Sequence, residues 1–148
     1  MSRTYEQALE YIHSFDDPYL AALRDHGKQT WGQEGVRRLL ARLGNPHLAY
    51  PTIHVAGTKG KGSTSAFIAQ GLIESGMRTG LYVSPHLVDW RERIQINGEW
   101  IPRQMLARLV DDIEPFVAGE PLSAFEIATA LAFWHFSREK CEAAVIEV

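Results

Sequence analysis

Cysteine is almost missing from this sequence. Of 148 residues only Cys141 is one, which excludes an internal disulfide framework and any zinc site built from several thiolates. No run of about 18 apolar residues occurs, so no segment is written as a membrane helix. The opening Met-Ser-Arg-Thr-Tyr-Glu has no basic stretch leading into an apolar core, as a secretion signal would. A reducing cytoplasm is the expected setting. Neither sign of charge dominates either: 15 lysines and arginines against 18 aspartates and glutamates leave a net charge of −3. No general attraction to nucleic acid or to an acidic lipid surface is encoded, and any affinity for phosphate must be local. Trp31, Trp90, Trp100 and Trp134 are too scattered to form a stacking platform for nucleic acid.

What is present is the composition of an ordinary globular domain, 45% hydrophobic and 22% charged, long enough for a sizeable core. There is no internal repeat and no low-complexity segment. Thr4-x-x-Gln7 has capping-box spacing, and Tyr5, Ala8, Leu9 and Ile12 follow on one helical face. Asp17-Pro18 reads as a cap with proline at the first helical position, Leu20 and Leu23 turned inward and Gly27 as a stop. Val36, Leu39, Leu40 and Leu43 mark another helix, ended by Gly44 and Pro46. These helices form a lead-in over residues 1–50.

After Pro51 the period changes. Thr52-Ile-His-Val-Ala56 predicts a strand, a glycine-rich loop follows, and Ala66, Ala69, Leu72 and Ile73 sit at helical spacing before Gly76. Thr79–Val83 supplies a second buried strand, so 52–83 is a βαβ unit with parallel strands. Arg93–Ile96 and Glu99–Ile101 flank Asn97-Gly98, the dipeptide suited to a type I′ hairpin turn. A helix is expected from Pro102, with Met105, Leu106, Leu109, Val110 and Ile113 inward and Pro115 as its end. Gly119-Glu-Pro121 reads as a loop, and a buried helix runs from Ser123 to about Lys140. Ala143–Val148 is a third buried strand that reaches the last residue without a loop or polar tail. The expectation is an α/β fold with a parallel sheet, helices on both faces, and an incomplete core over 51–148 cut through the middle of the sheet.

The densest chemical signal is His54-Val-Ala-Gly-Thr-Lys-Gly-Lys-Gly-Ser-Thr64, placed between strand and helix. Glycines let backbone N–H groups converge on an anion, the helix start adds partial positive charge, a lysine neutralises phosphate, and a hydroxyl can ligate Mg²⁺. The strict spacing G-x-x-x-x-G-K-[ST] is not met, because Lys61 lies between Gly60 and Gly62. A dinucleotide fingerprint is not met either: G-x-G-x-x-G is absent, and Ser84-Pro85-His86, not an acidic residue, follows the second strand. A nucleoside triphosphate is the better ligand than a dinucleotide. An unliganded glycine-rich turn with solvated lysines is the bland alternative.

Ala56-Gly-Thr-Lys-Gly-Lys-Gly-Ser-Thr64 resembles the phosphate loop of the folylpolyglutamate and dihydrofolate synthases, relatives of the Mur ligases. Gly35–Gly44, Ser84-Pro-His-Leu87 with Glu92-Arg93, Phe125-Glu126 and Val145–Val148 agree with that family in order along the chain. Lys59 stands where the family usually has asparagine, and Gly62 favours the folate branch over the cell-wall branch. The resemblance implies a P-loop-type domain like the central domain of Mur ligases, here without the later metal-binding histidine and C-terminal domain. The implied reaction is ATP-dependent ligation of L-glutamate to a folate or dihydropteroate through an acyl phosphate, with a Mur-type amino-acid ligase as the enzymatic alternative. A nucleotide-binding fragment without catalysis is the other alternative.

The resemblance assigns ATP to Gly57, Thr58, Lys59, Gly60, Lys61, Gly62, Ser63 and Thr64, with Lys61 as the cation bridging the terminal phosphates. It gives Mg²⁺ to Ser84, at the carboxyl end of the second strand, and to Glu147, a carboxylate in an otherwise apolar strand that would be costly to bury without a cation. It places pterin-side binding at Ser123, Ala124, Phe125 and Glu126, although Ser123-x-x-Glu126 is also a capping box by spacing alone. His86, Arg91 and Arg93 border the folate site in the family, yet each alone is more often a surface residue. His54 reads as a satisfied core histidine and Cys141 as a small buried side chain.

Overall fold

The computed structural model describes residues 2–16, 34–118, 120 and 122–148. The helix expected from Asp17-Pro18 to Gly27, Trp31, and the loop positions Gly119 and Pro121 lie outside the described residues. In chain order the elements are α1 (Tyr5–His13), α2 (Glu34–Arg42), β1 (Thr52–Val55), α3 (Lys61–Glu74), β2 (Thr79–Tyr82), β3 (Ile94–Ile96), β4 (Glu99–Trp100), α4 (Arg103–Val117), α5 (Ala124–Arg138) and β5 (Ala143–Glu147). They fall into two compact units, Met1–Asn45 with Gln104–Leu131, and Pro46–Arg103 with Ala132–Val148. The division departs from the contiguous split at residue 50 that the sequence suggested, because the lead-in helices are tied to a later part of the chain.

In the first unit those ties are ionic as well as apolar. Arg3 pairs with Asp111 at 2.7 Å and Glu114 at 2.8 Å, and Arg38 and Arg42 both reach Glu120, at 2.9 and 3.0 Å. The capping box of α1 forms as its spacing demands: Gln7 N–H donates to Thr4 Oγ1 and Thr4 N–H to Gln7 Oε1. Helix α2 stops at Gly44 through paired bonds from Gly44 N–H to the Ala41 carbonyl and from Asn45 N–H to the Leu40 carbonyl. Pro115 does not end α4, which runs through it to Val117. Proline at 115 costs one ladder bond, the one to the Asp111 carbonyl, and the helix carries on for its final two residues. Arg42 Nη1–H closes that end by donating to the Phe116 carbonyl.

The second unit is a sheet of order β1-β5-β2-β3-β4. β1 and β2 are parallel, as a βαβ unit requires, but they are not neighbours: β5 lies between them and pairs in parallel with both. β3 and β4 extend the sheet in antiparallel sense around the Asn97-Gly98 turn, whose φ values of 50° and 79° are those of the expected type I′ geometry. β5 is buried along its whole length, whereas β1 is an edge strand among the described residues, with Thr52, Ile53 and His54 exposed. His54 is therefore not the core histidine that its apolar neighbours suggested.

Successive residues of a strand face opposite sides of a sheet, and β2 shows both sides covered. Leu81 joins Ala69 of α3 and Val145 of β5 in one cluster, while the neighbouring Gly80 lies under Phe136 of α5. A Cβ on Gly80 would stand 2.7–2.8 Å from three carbons of that ring, which is wholly buried. Gly80→Ala should accordingly lower stability by about 1–3 kcal/mol, the range for overpacking a core, read as a lower midpoint in urea. The α5 residue before this ring, His135, is buried, and burial lowers its pKa to about 4. Its folded pKa thus lies below the ordinary value near 6.5, so the folded state excludes a proton that the unfolded chain takes up. Stability should be complete above about pH 6.5 and fall as pH drops toward 4, and His135→Leu should flatten that part of the urea-midpoint profile.

Candidate nucleotide and metal site

Three chain segments end together at the carboxyl edge of the parallel strands. β1 runs into the loop Ala56–Gly60, whose residues are all exposed, and α3 begins at Lys61. Gly60 is the N-cap, with φ 75° and ψ 6°, a left-handed conformation that a side chain would resist. No side chain caps this helix. Its first backbone bond runs from Thr64 N–H to the Gly60 carbonyl, so the N–H groups of Lys61, Gly62 and Ser63 precede the ladder and remain available to an anion. Lys61 is half-buried, and its Cγ lies 3.9 Å from where a Cβ on Gly57 would be, so its stem folds back along the loop. Thr58, Lys59, Ser63 and Thr64 are exposed on the same turn.

Glu147 closes the arrangement from below. It ends the central strand β5, opposite Val55 of β1, and is only 7% exposed. Its Oε2 lies 3.7 Å from the position a Cβ on Gly62 would take, and it accepts from Ser84 N–H at 3.4 Å. A Cβ at 62 would make ordinary van der Waals contact with the carboxylate. The long bond from Ser84 is the one hydrogen bond that the Glu147 carboxylate accepts among the described residues, which leaves acceptor capacity open to a cation. No group of three or more His, Cys, Asp and Glu is placed for a metal among the described residues. The residues available are one carboxylate, with Ser84 beside it through its backbone N–H. That suits Mg²⁺, which keeps several waters and binds through one or two carboxylates plus phosphate oxygens.

The structure thus brings the loop 57–64, Ser84 and Glu147 together within the second unit. Ser123–Glu126 belongs to the first, where the capping box forms: Ser123 N–H and Oγ–H donate to Glu126 Oε2 at 2.7 and 2.8 Å. Glu126 N–H donates back to Ser123 Oγ at 3.3 Å. Ala124 is buried, and the Phe125 ring is 46% exposed. Cys141 is buried and burial pushes its thiol up to about 11, as a packing residue and not a nucleophile.

One organising residue went unread in the sequence. Glu92 accepts from the N–H groups of Leu87, Val88 and Asp89 at 2.7–2.8 Å, clamping the loop after Ser84. Those bonds, the one from Leu87 first, lower its pKa. The signal was available as Asp89-x-x-Glu92, a third capping box. A carboxylate with depressed pKa stabilises above the unfolded value and loses that effect on acidification. Glu92→Gln should therefore speed hydrogen exchange at Leu87, Val88 and Asp89 near neutral pH, and in the unsubstituted protein the protection factors of the same amides should fall once the pH drops below the ordinary carboxylate range.

A glycine-rich turn and a buried carboxylate at the carboxyl ends of parallel strands define a P-loop-type nucleotide-binding α/β protein. No protein-family model matches the chain. It is 45% identical over 122 residues to the probable bifunctional folylpolyglutamate synthase/dihydropteroate synthase of Haloferax volcanii, covering 79% of this chain and 15% of that one. It is 38% identical over 151 residues to the folylpolyglutamate synthase (FPGS) of Lacticaseibacillus casei, covering 97% of this chain and 33% of that one. The solved FPGS–AMPPCP–folate complex superposes with a TM-score of 0.87 at 36% identity, over 99% of this chain and 35% of that one. The chain belongs to the folylpolyglutamate synthase/dihydrofolate synthase family, and it spans about a third or less of the length of these relatives. No helix among the described residues is long and apolar enough to cross a membrane.

Proposed function

We propose that this chain supplies the nucleotide-binding part of a cytoplasmic ATP-dependent ligase that joins L-glutamate to a folate or dihydropteroate. The observation that carries the reading is the Glu147 carboxylate placed beside Gly62 and Ser84, with a single long hydrogen bond, next to an uncapped helix start. That is where a triphosphate with a divalent cation would relieve its charge. The relative solved with AMPPCP and folate supports the same ligand pair.

In this reading a carboxylate oxygen of the folate attacks the terminal phosphorus of ATP, and ADP leaves. The glutamate amine then attacks the acyl carbon, loses a proton, and phosphate departs with the C–O bonding pair. Both steps gather negative charge on phosphoryl oxygens, so the chain's task is neutralisation and alignment. Lys61 reaches over the loop to the terminal phosphates, and the N–H groups of Lys61, Gly62 and Ser63 hold the β-phosphate. Thr58, Lys59, Gly60 and Thr64 line the same turn, and Gly57 lets the stem of Lys61 lie close. Ser84 and Glu147 would hold Mg²⁺, which supplies charge neutralisation between nucleotide and carboxylate when bound. Ser123, Ala124, Phe125 and Glu126 form the pterin side, with Phe125 offering its ring face and the capping box fixing the backbone. The share of its relatives that this chain spans favours a second reading, in which it binds nucleotide without completing the ligation.

Mg–AMPPCP should raise the melting temperature of the chain. Lys61→Ala should weaken that binding at least tenfold, about 1.4 kcal/mol, and Glu147→Gln should remove its dependence on Mg²⁺. Absence of a shift, with Lys61→Ala indistinguishable from the unsubstituted chain, would refute the nucleotide site. Binding without phosphate release in the presence of dihydropteroate or tetrahydrofolate, ATP and glutamate would favour the second reading.

A further inference from the structure

Helix α3 carries one polar atom into an apolar layer. Ser65 is wholly buried, and its Oγ has no hydrogen-bond partner among the described residues. Helix hydroxyls elsewhere in the chain turn back on their own backbone. Thr129 Oγ1–H donates to the Phe125 carbonyl at 2.8 Å, and Ser75 Oγ–H, just past the end of α3, donates to the Leu72 carbonyl at 2.7 Å. Ser65 makes no such bond. A buried hydroxyl without a partner is unfavourable, and alanine would fill the same space with a better helix propensity. The acceptor for this hydroxyl is to be sought on the sheet that the helix covers.

Gly62, Ser65 and Ala69 follow one another at i, i+3 and i+7 along a single face of α3. At one end of that row the position of a Cβ on Gly62 lies 3.7 Å from Glu147 Oε2, and at the other Ala69 packs with Leu81 and Val145. Ser65 stands between them, about 4.5 Å along the helix axis from Gly62. Strand residues two apart share a face of the sheet, so Glu147 and Val145 both lie on the α3 side of β5. Val55 of β1 is in register with Glu147, and Val83 packs on the same cluster beyond the end of β2. Of Val55, Leu81, Val83, Val145 and Glu147, only the last has a side chain that accepts hydrogen bonds. Its single long bond, from Ser84 N–H at 3.4 Å, leaves it able to accept another.

We infer that Ser65 is a positioning residue for the cation site: its hydroxyl, turned about χ1, donates to the Glu147 carboxylate and fixes the plane in which that carboxylate meets a divalent cation. This rests on the nucleotide and metal reading above and adds to it a residue that touches neither nucleotide nor metal. Ser84 N–H approaches the carboxylate from the β2 side and Ser65 from the helix that covers the sheet, so the two donors constrain it from two directions. Partners of this kind act by holding a ligand's orientation, and removing one weakens metal binding about ten- to a hundredfold.

The experiment measures, by calorimetry, binding of Mn–AMPPCP and of AMPPCP in EDTA to the unsubstituted chain, Ser65→Ala and Ser65→Thr, with the melting temperature of each in EDTA. The expected result is Mn–AMPPCP binding about tenfold weaker in S65A and largely restored in S65T, which returns the hydroxyl. AMPPCP in EDTA should change by less than twofold. S65A in EDTA should melt at or above the temperature of the unsubstituted chain, because the hydroxyl it lacks has no partner in the fold. Unchanged Mn–AMPPCP affinity in S65A would overturn the inference and leave the metal reading standing, provided that the unsubstituted chain binds Mn–AMPPCP more tightly than AMPPCP in EDTA. No such preference in the unsubstituted chain would overturn both. An equal loss of AMPPCP in EDTA would overturn the inference by making Ser65 a support of the phosphate loop, and a lower melting temperature of S65A in EDTA would overturn it by marking a structural role.

Discussion

A carboxylate sits where a strand should be apolar, and much of the second unit is arranged around it. Glu147 ends Ala143-Ala-Val-Ile, the most deeply buried strand of the sheet, with parallel neighbours on both sides. Burying a carboxylate with one long hydrogen bond is unfavourable for folding unless a cation arrives. Gly62, a residue with no side chain, and the backbone N–H of Ser84 both lie beside it.

Around that point the two flanking loops solve different problems. The loop after β1 must present N–H groups, and it does so with a left-handed glycine at the N-cap and no competing side-chain cap. The loop after β2 must hold its shape while carrying the apolar side chains of Leu87 and Val88 in solvent, 90% and 89% exposed. Glu92 supplies that shape by gathering three N–H groups. One loop is open to an anion and the other is braced by an internal one.

Much of this was legible before any coordinates. Periodicity located the helices and strands, and Gly44, Gly76 and Asn97-Gly98 marked real stops and turns because their backbone geometry is local. The loop 57–64, Ser84 and Glu147 were legible from residue type and resemblance, and they do converge. What stayed hidden depends on partners distant in sequence. The exposure of His54 follows from β1 being an edge, which strand order alone decides. The run of α4 through Pro115 depends on Arg42, and the grouping of the lead-in helices with α4 depends on ion pairs more than a hundred positions apart in the case of Arg3 and Asp111. Ser123 and Glu126 met their local expectation in full, since a capping box needs only four residues.

The central claim is that Glu147 and Ser84 share a divalent cation with a triphosphate held by the loop at Lys61. Crystals of the chain grown with Mn²⁺ in place of Mg²⁺ and a non-hydrolysable ATP analogue test it directly through the anomalous signal of the metal. The account predicts one strong peak within about 2–2.5 Å of a Glu147 carboxylate oxygen and the Ser84 hydroxyl, with the terminal phosphate between it and Lys61. A nucleotide seated elsewhere, or a metal peak with Glu147 outside its coordination shell, would contradict it.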